Sequence, residues 1–453
     1  MSFDKEKFIE HLQGMIRIPT ISSADPEQLD KEAYFRLHEY LKETYPLIHA
    51  NLTREVVSRA SLLYHWKGTG KSEKLPLLLA AHQDVVPEGD HSQWLHPPYS
   101  GDVADKSIWG RGSGDSKSNI LSYMEAIEYL LQQGFVPDYD IYLAFGHNEE
   151  IMGGPEPGAG AIAALLKSWG IKLGCVIDEC GGTFNGEEKG LSGLITQIYV
   201  AEKGYADYEI SAVNEGGHSS RPGITNALVE VCKALIKISE NARPYRLIPP
   251  VVNELRLQAE RWKKEDADFV KLLKDPEENW DKLLPILKQT PEYSALLHTT
   301  TAITMAKGSD QANILPERAS AVVNCRLLNG DTLEDLQEYF EKIVPEGVNV
   351  NLLKGHNPPP VAAVNALGYR LIKEISEETY PGTLVIPSYL LGGTDSRWYF
   401  DICESNSVYR FSGYYQDSKS GNAHRVNEKL SEEKITTGAE FFLSFIQRYS
   451  DFI

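Results

Sequence analysis

The chain has 453 residues, 42% of them apolar, and a net charge of −19. Its length predicts about two to three domains, and its apolar share is ample for a packed core. The acidic balance, without any dense Lys/Arg block, argues against nucleic acid and against anionic membrane surfaces as partners.

Phe8, Leu12 and Ile16 recur at helical spacing until Pro19, which predicts a first helix. A second is predicted over about 28–43, with Ala33, Leu37 and Leu41 on one face. The run Leu77-Leu78-Leu79-Ala80-Ala81 reads as a strand covered on both faces and ends at His82. A helix follows over 117–133, then the strand-like run 141–145, a Gly/Pro-rich turn around 153–159, a helix to about Trp169, and a strand ending at Asp178. This alternation predicts a doubly wound α/β unit with a mainly parallel sheet, whose ligands gather at strand carboxyl ends.

The pattern changes after Leu194. Strand-like runs at 195–200 and 208–212, a helix bearing Leu228, Val231, Leu235 and Ile238, and a charged helical stretch over about 250–297 come next. A strand (319–327), a helix (333–343) and a strand (348–352) complete a small α+β unit. After Pro358-Pro359-Pro360, helix 366–379, strands near 384–386 and 407–411 and a closing helix 431–448 resume the first pattern. The expected layout is a discontinuous catalytic domain, 1–194 and 361–453, with an inserted domain, 195–360.

Cys175, Cys180, Cys232, Cys325 and Cys403 are odd in number and form no CxxC pair, so they read as reduced core cysteines rather than a disulfide frame or a zinc knuckle. The first residues carry no apolar signal segment, and no apolar run reaches the roughly 18 residues of a membrane span; a cytoplasmic location is expected. Gly68-Thr69-Gly70-Lys71-Ser72 resembles a phosphate loop, but His65 stands where its first glycine is required. HExxH and GxSxG motifs are absent, so a serine hydrolase has no anchor.

Polar clusters fall at the predicted strand ends: His82-Gln83-Asp84, Gly112-Ser113-Gly114-Asp115, Gly146-His147-Asn148-Glu149-Glu150 and Asp178-Glu179. Imidazole plus several carboxylates suits divalent cations bound through nitrogen and oxygen, and a two-metal site is most often hydrolytic. Taken singly, His82-x-Asp84 also fits a surface turn, Asp115 a turn aspartate, and Glu149-Glu150 a solvated acidic loop.

In combination and order, these clusters resemble the M20 family of metallopeptidases and aminoacylases. The likeness extends through Trp94 to Gly101, Trp109-Gly110-Arg111-Gly112, Gly217-His218-Ser219-Ser220-Arg221-Pro222, Asn313-Ile314-Leu315-Pro316 and Ala423-His424. It is greatest to the branch of Gly-X carboxypeptidase S and the N-acyl-amino-acid hydrolases. The resemblance implies two divalent ions, zinc above all, with cobalt and manganese as alternatives. His82 and Asp178 would hold one, Glu150 and His424 the other, and Asp115 would bridge them. It implies Glu149 as general base, Asp84 as the residue orienting His82, and His218 as an oxyanion group reaching a partner subunit's site. Asn313, Arg326, Gly393 and Thr394 would contact substrate. The inserted domain would serve as lid and dimerisation surface, partly covered by segment 250–297. The expected reaction is hydrolysis of the amide next to a C-terminal amino acid, in short peptides or N-acyl amino acids. A non-peptide acyl or carbamoyl conjugate is the competing substrate class, and a metal-binding homologue without activity the non-enzymatic alternative.

Overall fold

The computed structural model describes residues 3–151, 158–263 and 267–451. Most of the Gly/Pro-rich turn that follows the glutamate pair lies outside them.

A ten-stranded sheet forms the larger unit. Its middle is parallel: Ile141–Gly146, Leu77–His82, Cys175–Asp178 and Val408–Arg410 lie side by side. Leu77–His82 is buried at every residue, as the unbroken apolar run requires of a strand covered on both faces. The edge is an antiparallel hairpin, Thr53–Val57 with Ser61–Trp66, which the periodicity analysis did not resolve.

The expected helices form with small boundary changes. Lys5–Ile16 starts where the Asp4 carboxylate accepts the N–H groups of Glu6 and Lys7, an ordinary N-cap. Lys117–Gln132 packs on the closing helix Thr437–Tyr449. All five cysteines are free thiols; Cys175, Cys325 and Cys403 are buried as expected of core residues, Cys180 is half-buried, and Cys232, contrary to that expectation, is exposed because it falls on the outer face of helix Ala227–Glu240. Among the described residues no helix is long and apolar enough to cross a membrane.

Two features differ from expectation. The strand Leu194–Glu202 belongs to the large sheet, pairing with Leu384–Leu390 and Gly182–Asn185, whereas 195 was the expected start of the inserted unit. The smaller four-stranded sheet begins at Gly204–Val213 and adds Arg318–Leu327, Val348–His356 and Thr300–Lys307. A strand run reads the same whichever sheet receives it, so composition could not place this junction.

The charged segment folds as helices Pro249–Arg261, Ala267–Lys274, Trp280–Leu287 and Pro291–Leu297. It docks on the large sheet's strand Leu384–Leu390 rather than over the outer face of the small sheet. Val251, Leu255, Leu283 and Leu287 share a core with Tyr389 and with Leu328 of the small unit. Glu254 is buried there and accepts the Tyr389 N–H at 3.2 Å. Burial pushes its carboxyl up to about 7.

Candidate metal centre

Strand register brings the first ligands together. His82 is level with Gly146 across the parallel pair, so the segment carrying Glu149 and Glu150 leaves the sheet beside the imidazole. Asp84 ties the two. Its carboxylate accepts the N–H groups of Glu149 and Glu150 at 3.1 and 3.0 Å, and its carbonyl oxygen lies 2.9 Å from His82 Nδ1. When neutral, His82 therefore carries its proton on Nδ1 and turns the Nε2 lone pair inward, as a ligating histidine needs.

Asp115 sits between two imidazoles. One carboxylate oxygen is 2.9 Å from His82 Nε2, the other 3.1 Å from His424 Nε2. His424 Nε2 is also 2.9 Å from Glu150 Oε2, and Glu179 Oε1 is 3.3 Å from His82 Nε2. Two donors on one tetrahedral zinc are about 3.3 Å apart, given bonds of about 2.0–2.1 Å. His82 forms one metal-sized donor group with Glu149 and Glu179, and another with Asp115 and Glu150. Among the described residues Glu150 Oε1 and Asp178 Oδ2 are buried without a hydrogen-bond partner. Buried carboxylate oxygens lacking donors are costly unless a cation faces them, so the residues present fit divalent ions.

The loops that meet here come from opposite ends of the chain. Ser107–Trp109 pairs with Lys429–Ser431, which sets the Asp115 loop against the His424 loop. Glu428, just before that strand, clamps the junction. Its carboxylate accepts the N–H groups of Gly112, Gly114 and Asp115 at 2.9–3.1 Å and pairs with Arg111 at 2.7 Å. Gly112 can join this ring because its φ of +84° costs a glycine little. The Asp115–Ser116 peptide bond is cis.

Burial pushes the Glu149 carboxyl well above the usual range, raises Glu150 and Asp178, and carries Glu179 up to about 8. For Asp115, burial is overcome by hydrogen bonds with His424 and His82, which hold it well below that range. Bonds to Asp115 and Glu150 raise His424 to about 10. Burial opposes charge on His82, but the Glu179, Asp115 and Asp84 carboxylates outweigh it and raise the imidazole.

The other expected site residues divide. Gly393 lines the cavity of about 510 Å³ that also holds Asp115, Glu149, Glu179 and His424. Thr394 is buried beside it and donates to Glu202 Oε2 at 2.9 Å; Glu202 in turn pairs with buried Arg410 at 3.0 Å. Thr394 thus anchors the glycine loop. His218 and Asn313 share a second cleft on the small unit, and neither lines the first. Arg326 lies over the Tyr205 ring, 4.9 Å from its centroid. Asp178 stands next to the carboxylate cluster, its Oδ2 buried without a partner among the described residues. Its Oδ1 accepts the Glu179 N–H at 2.8 Å, and the carboxylate against His82 is that of Glu179.

Sequence reading missed Glu428, a single acid in a polar run with no signal of its own. It also passed over Asp395, whose Oδ2 lies 2.3 Å from where a Cβ on Gly146 would sit, so only glycine fits at that strand end. Glu179 was within reach, because Asp178-Glu179 repeats the acidic doublet of Glu149-Glu150.

Comparison with known proteins gives the family. The chain belongs to peptidase family M20/M25/M40, whose model matches residues 78–448. It is 30% identical over 447 residues to "Probable carboxypeptidase S-like 2" of Dictyostelium discoideum, covering 96% of this chain and 83% of that protein. It is also 30% identical over 449 residues to the N-fatty-acyl-amino acid synthase/hydrolase PM20D1 of Xenopus tropicalis (98% and 86%), and 29% over 493 residues to carboxypeptidase S of Saccharomyces cerevisiae (98% and 84%). The fold matches the M20 family metallo-carboxypeptidase Sso-CP2 of Sulfolobus solfataricus with a TM-score of 0.70 at 19% identity, covering both chains fully. Human carnosine dipeptidase 1 matches at 0.67 and 15%, covering 99% of this chain and 96% of that one. The chain is a hydrolase of the metallopeptidase type, in the branch its motifs indicated.

Two predictions follow from the packing and charge. Glu428→Ala strands Arg111 and three N–H groups in the interior; urea unfolding should register a loss of roughly 3–5 kcal/mol, the cost of breaking a buried pair. The metal-free protein should lose stability as pH rises from about 6 to about 8. Glu179 is raised from 4.5 to about 8 in the folded state, so between those values unfolding releases its proton and stability falls as pH rises, the window above being the upper part of that fall. His424 contributes stability in full below 6.5, and that is lost as pH rises through about 10. Both signs agree, and unfolding midpoints of chelated protein across this range check them.

Proposed function

We propose that the chain is a two-metal hydrolase, zinc being the expected ion, which cleaves the amide bond next to a C-terminal amino acid in a short peptide or N-acyl amino acid. The observation that carries this is the convergence of two imidazoles and a set of carboxylates on one substrate-sized cavity. The names of relatives, carboxypeptidase S and N-fatty-acyl-amino acid hydrolase, agree on that bond.

His424 and Glu150 would hold one ion, His82 and Glu179 the other, with Asp115 shared. Glu179 takes the place first expected for Asp178 because its oxygen is the one near His82 Nε2. Bound ions would polarise the scissile carbonyl and acidify the attacking water. Glu149 is buried beside His82, within one metal-sized donor group with it and Glu179, and is assigned to the attacking water rather than to an ion. It is suited to take a proton from that water and return it to the leaving nitrogen. Asp84 keeps the imidazole and both glutamates in register. The Gly393 loop, braced through Thr394 and Glu202, offers N–H groups to a substrate carboxylate, with Arg326 and Asn313 as its counterparts on the small unit.

His218 lines a different cleft from the metal cavity of its own chain, and an exposed apolar face argues for a second copy. Ile303 and Met305 on strand Thr300–Lys307 and Leu228 and Ile236 on helix Ala227–Glu240 are all exposed. An unpaired edge strand with apolar side chains is a pairing surface. We infer a homodimer through this face, with His218 serving the neighbouring site.

Chelation should abolish release of C-terminal amino acids from dipeptides and N-acyl amino acids, and added Zn²⁺, Co²⁺ or Mn²⁺ should restore it. Glu149→Ala should bind two ions per chain yet turn over about 10²–10⁴-fold more slowly. In the same metal titration, Glu179→Ala should lose more affinity than Asp178→Asn. Turnover by Glu149→Ala at the wild-type rate would remove the base assignment; hydrolysis of only non-peptide acyl conjugates would move the substrate class. Light scattering should give twice the chain mass. Mixing inactive Glu149→Ala with His218→Ala should regain activity through hybrid dimers, and no regain would place His218 outside the partner's site.

A further inference from the structure

The metal-centre cavity also contains a cation that the reaction above does not use. Lys189 closes the short helical turn Gly186–Lys189, and its ammonium lies 4.2 Å from the centroid of the Phe184 ring. Both residues line the cavity shared by Asp115, Glu149 and His424. Two nearby acids are committed elsewhere: Glu187 pairs with Lys263 at 3.0 Å, and Asp417 accepts from Ser431 Oγ and the Lys419 N–H. Among the described residues Lys189 has no ion pair. A ring face holds an ammonium in place without neutralising it, so a charge is presented to whatever fills the cavity.

Position selects which part of a substrate would meet it. The terminal carboxylate is attached to the carbon bearing the scissile nitrogen, so its anchor must stand beside the metal ligands. Phe184 stands further out, on strand Gly182–Asn185, which begins three residues beyond Glu179. The two residues from Gly182 to Phe184 alone span about 7 Å. Leu390 and Tyr415 line the same cavity, so apolar surface accompanies the charge.

Resting on the hydrolase reading above, we propose that Lys189 selects the acyl side of the substrate: the cavity takes amides whose acyl portion carries a carboxylate. An acidic N-terminal residue of a dipeptide and the free end of a dicarboxylic acid mono-amide share that chemistry. Glu188 lines the cavity beside Lys189, and its carboxylate competes for the same ammonium, so its removal strengthens the preference.

The test is calorimetric binding of straight-chain dicarboxylates, succinate to adipate, to the full-length zinc-loaded protein, against monocarboxylates of equal length. At least one dicarboxylate should bind about tenfold more tightly than its match, the scale of one charge-assisted contact. Lys189→Met should abolish that advantage, Lys189→Arg should keep it, and Glu188→Gln should enlarge it. No advantage at any length, or one that survives Lys189→Met, overturns the proposal. In turnover, kcat/KM for Glu-X over Gln-X dipeptides should fall in Lys189→Met, mainly through KM. An equal fall for both would make Lys189 an anchor of the terminal carboxylate and likewise overturn it. Dipeptides that separate the two acyl carboxylate sources from each other are Glu-X against N-glutaryl-X, and preference for one identifies the source. If no amide is cleaved by the wild type, the hydrolase reading fails, while the acid-binding measurement still decides Lys189.

Discussion

Crowded, largely buried negative charge is the constraint on which the rest of this structure turns. Asp115, Glu149, Glu150, Asp178 and Glu179 meet within reach of His82 and His424. Like charges at such distances cannot all stay ionised without cations or protons to neutralise them. Without cations, burial raises four of the five carboxyls, which favours protons in that role. Divalent ions would displace those protons, so metal binding, proton release and stability are one coupled equilibrium.

Holding such a cluster requires rigid supports outside it. Asp84 supports the strand side, bonding to the glutamate pair and facing His82 Nδ1. Glu428 supports the loop side, where four donors converge on one buried carboxylate. The buried Glu202–Arg410 pair, joined by Thr394, holds the glycine loop. Each support is itself a charged group taken out of water; both oxygens of Asp84 and of Glu428 are hydrogen-bonded, whereas Glu202 Oε1 and both Arg410 Nη atoms are buried without a partner among the described residues.

The helices between 249 and 297 add a feature that bears on domain movement. They join the large sheet at Tyr389 and share a core with Leu328 of the small unit, and Asp331 beside that residue pairs with Arg243 and Arg246. A shared core of this kind couples the small unit to the large sheet, so any closure over substrate must carry or deform this packing.

Much of this protein was legible from its chain. The unbroken apolar run 77–81, the helical spacing of Phe8, Leu12 and Ile16, and the order of the polar clusters carried the α/β class, the family and the strand-end position of most ligands, because periodicity and strand-end chemistry are local properties. Other features were not legible. Glu428 reaches Asp115 across more than 300 residues, and only the pairing of 107–109 with 429–431 brings them together. Strand 194–202 could be assigned to a sheet only by its partners. Between Asp178 and Glu179, adjacent in sequence and alike in chemistry, the turn after the strand decided which carboxylate faces His82. His218 and Asn313, found together by motif, stand apart from the metal cavity because the small sheet carries them there. Sequence by itself determined which chemical groups are present and which periodic elements carry them. Tertiary structure alone decided which groups share a cavity, since that depends on long-range strand pairing and on the burial that gives each charge its partner.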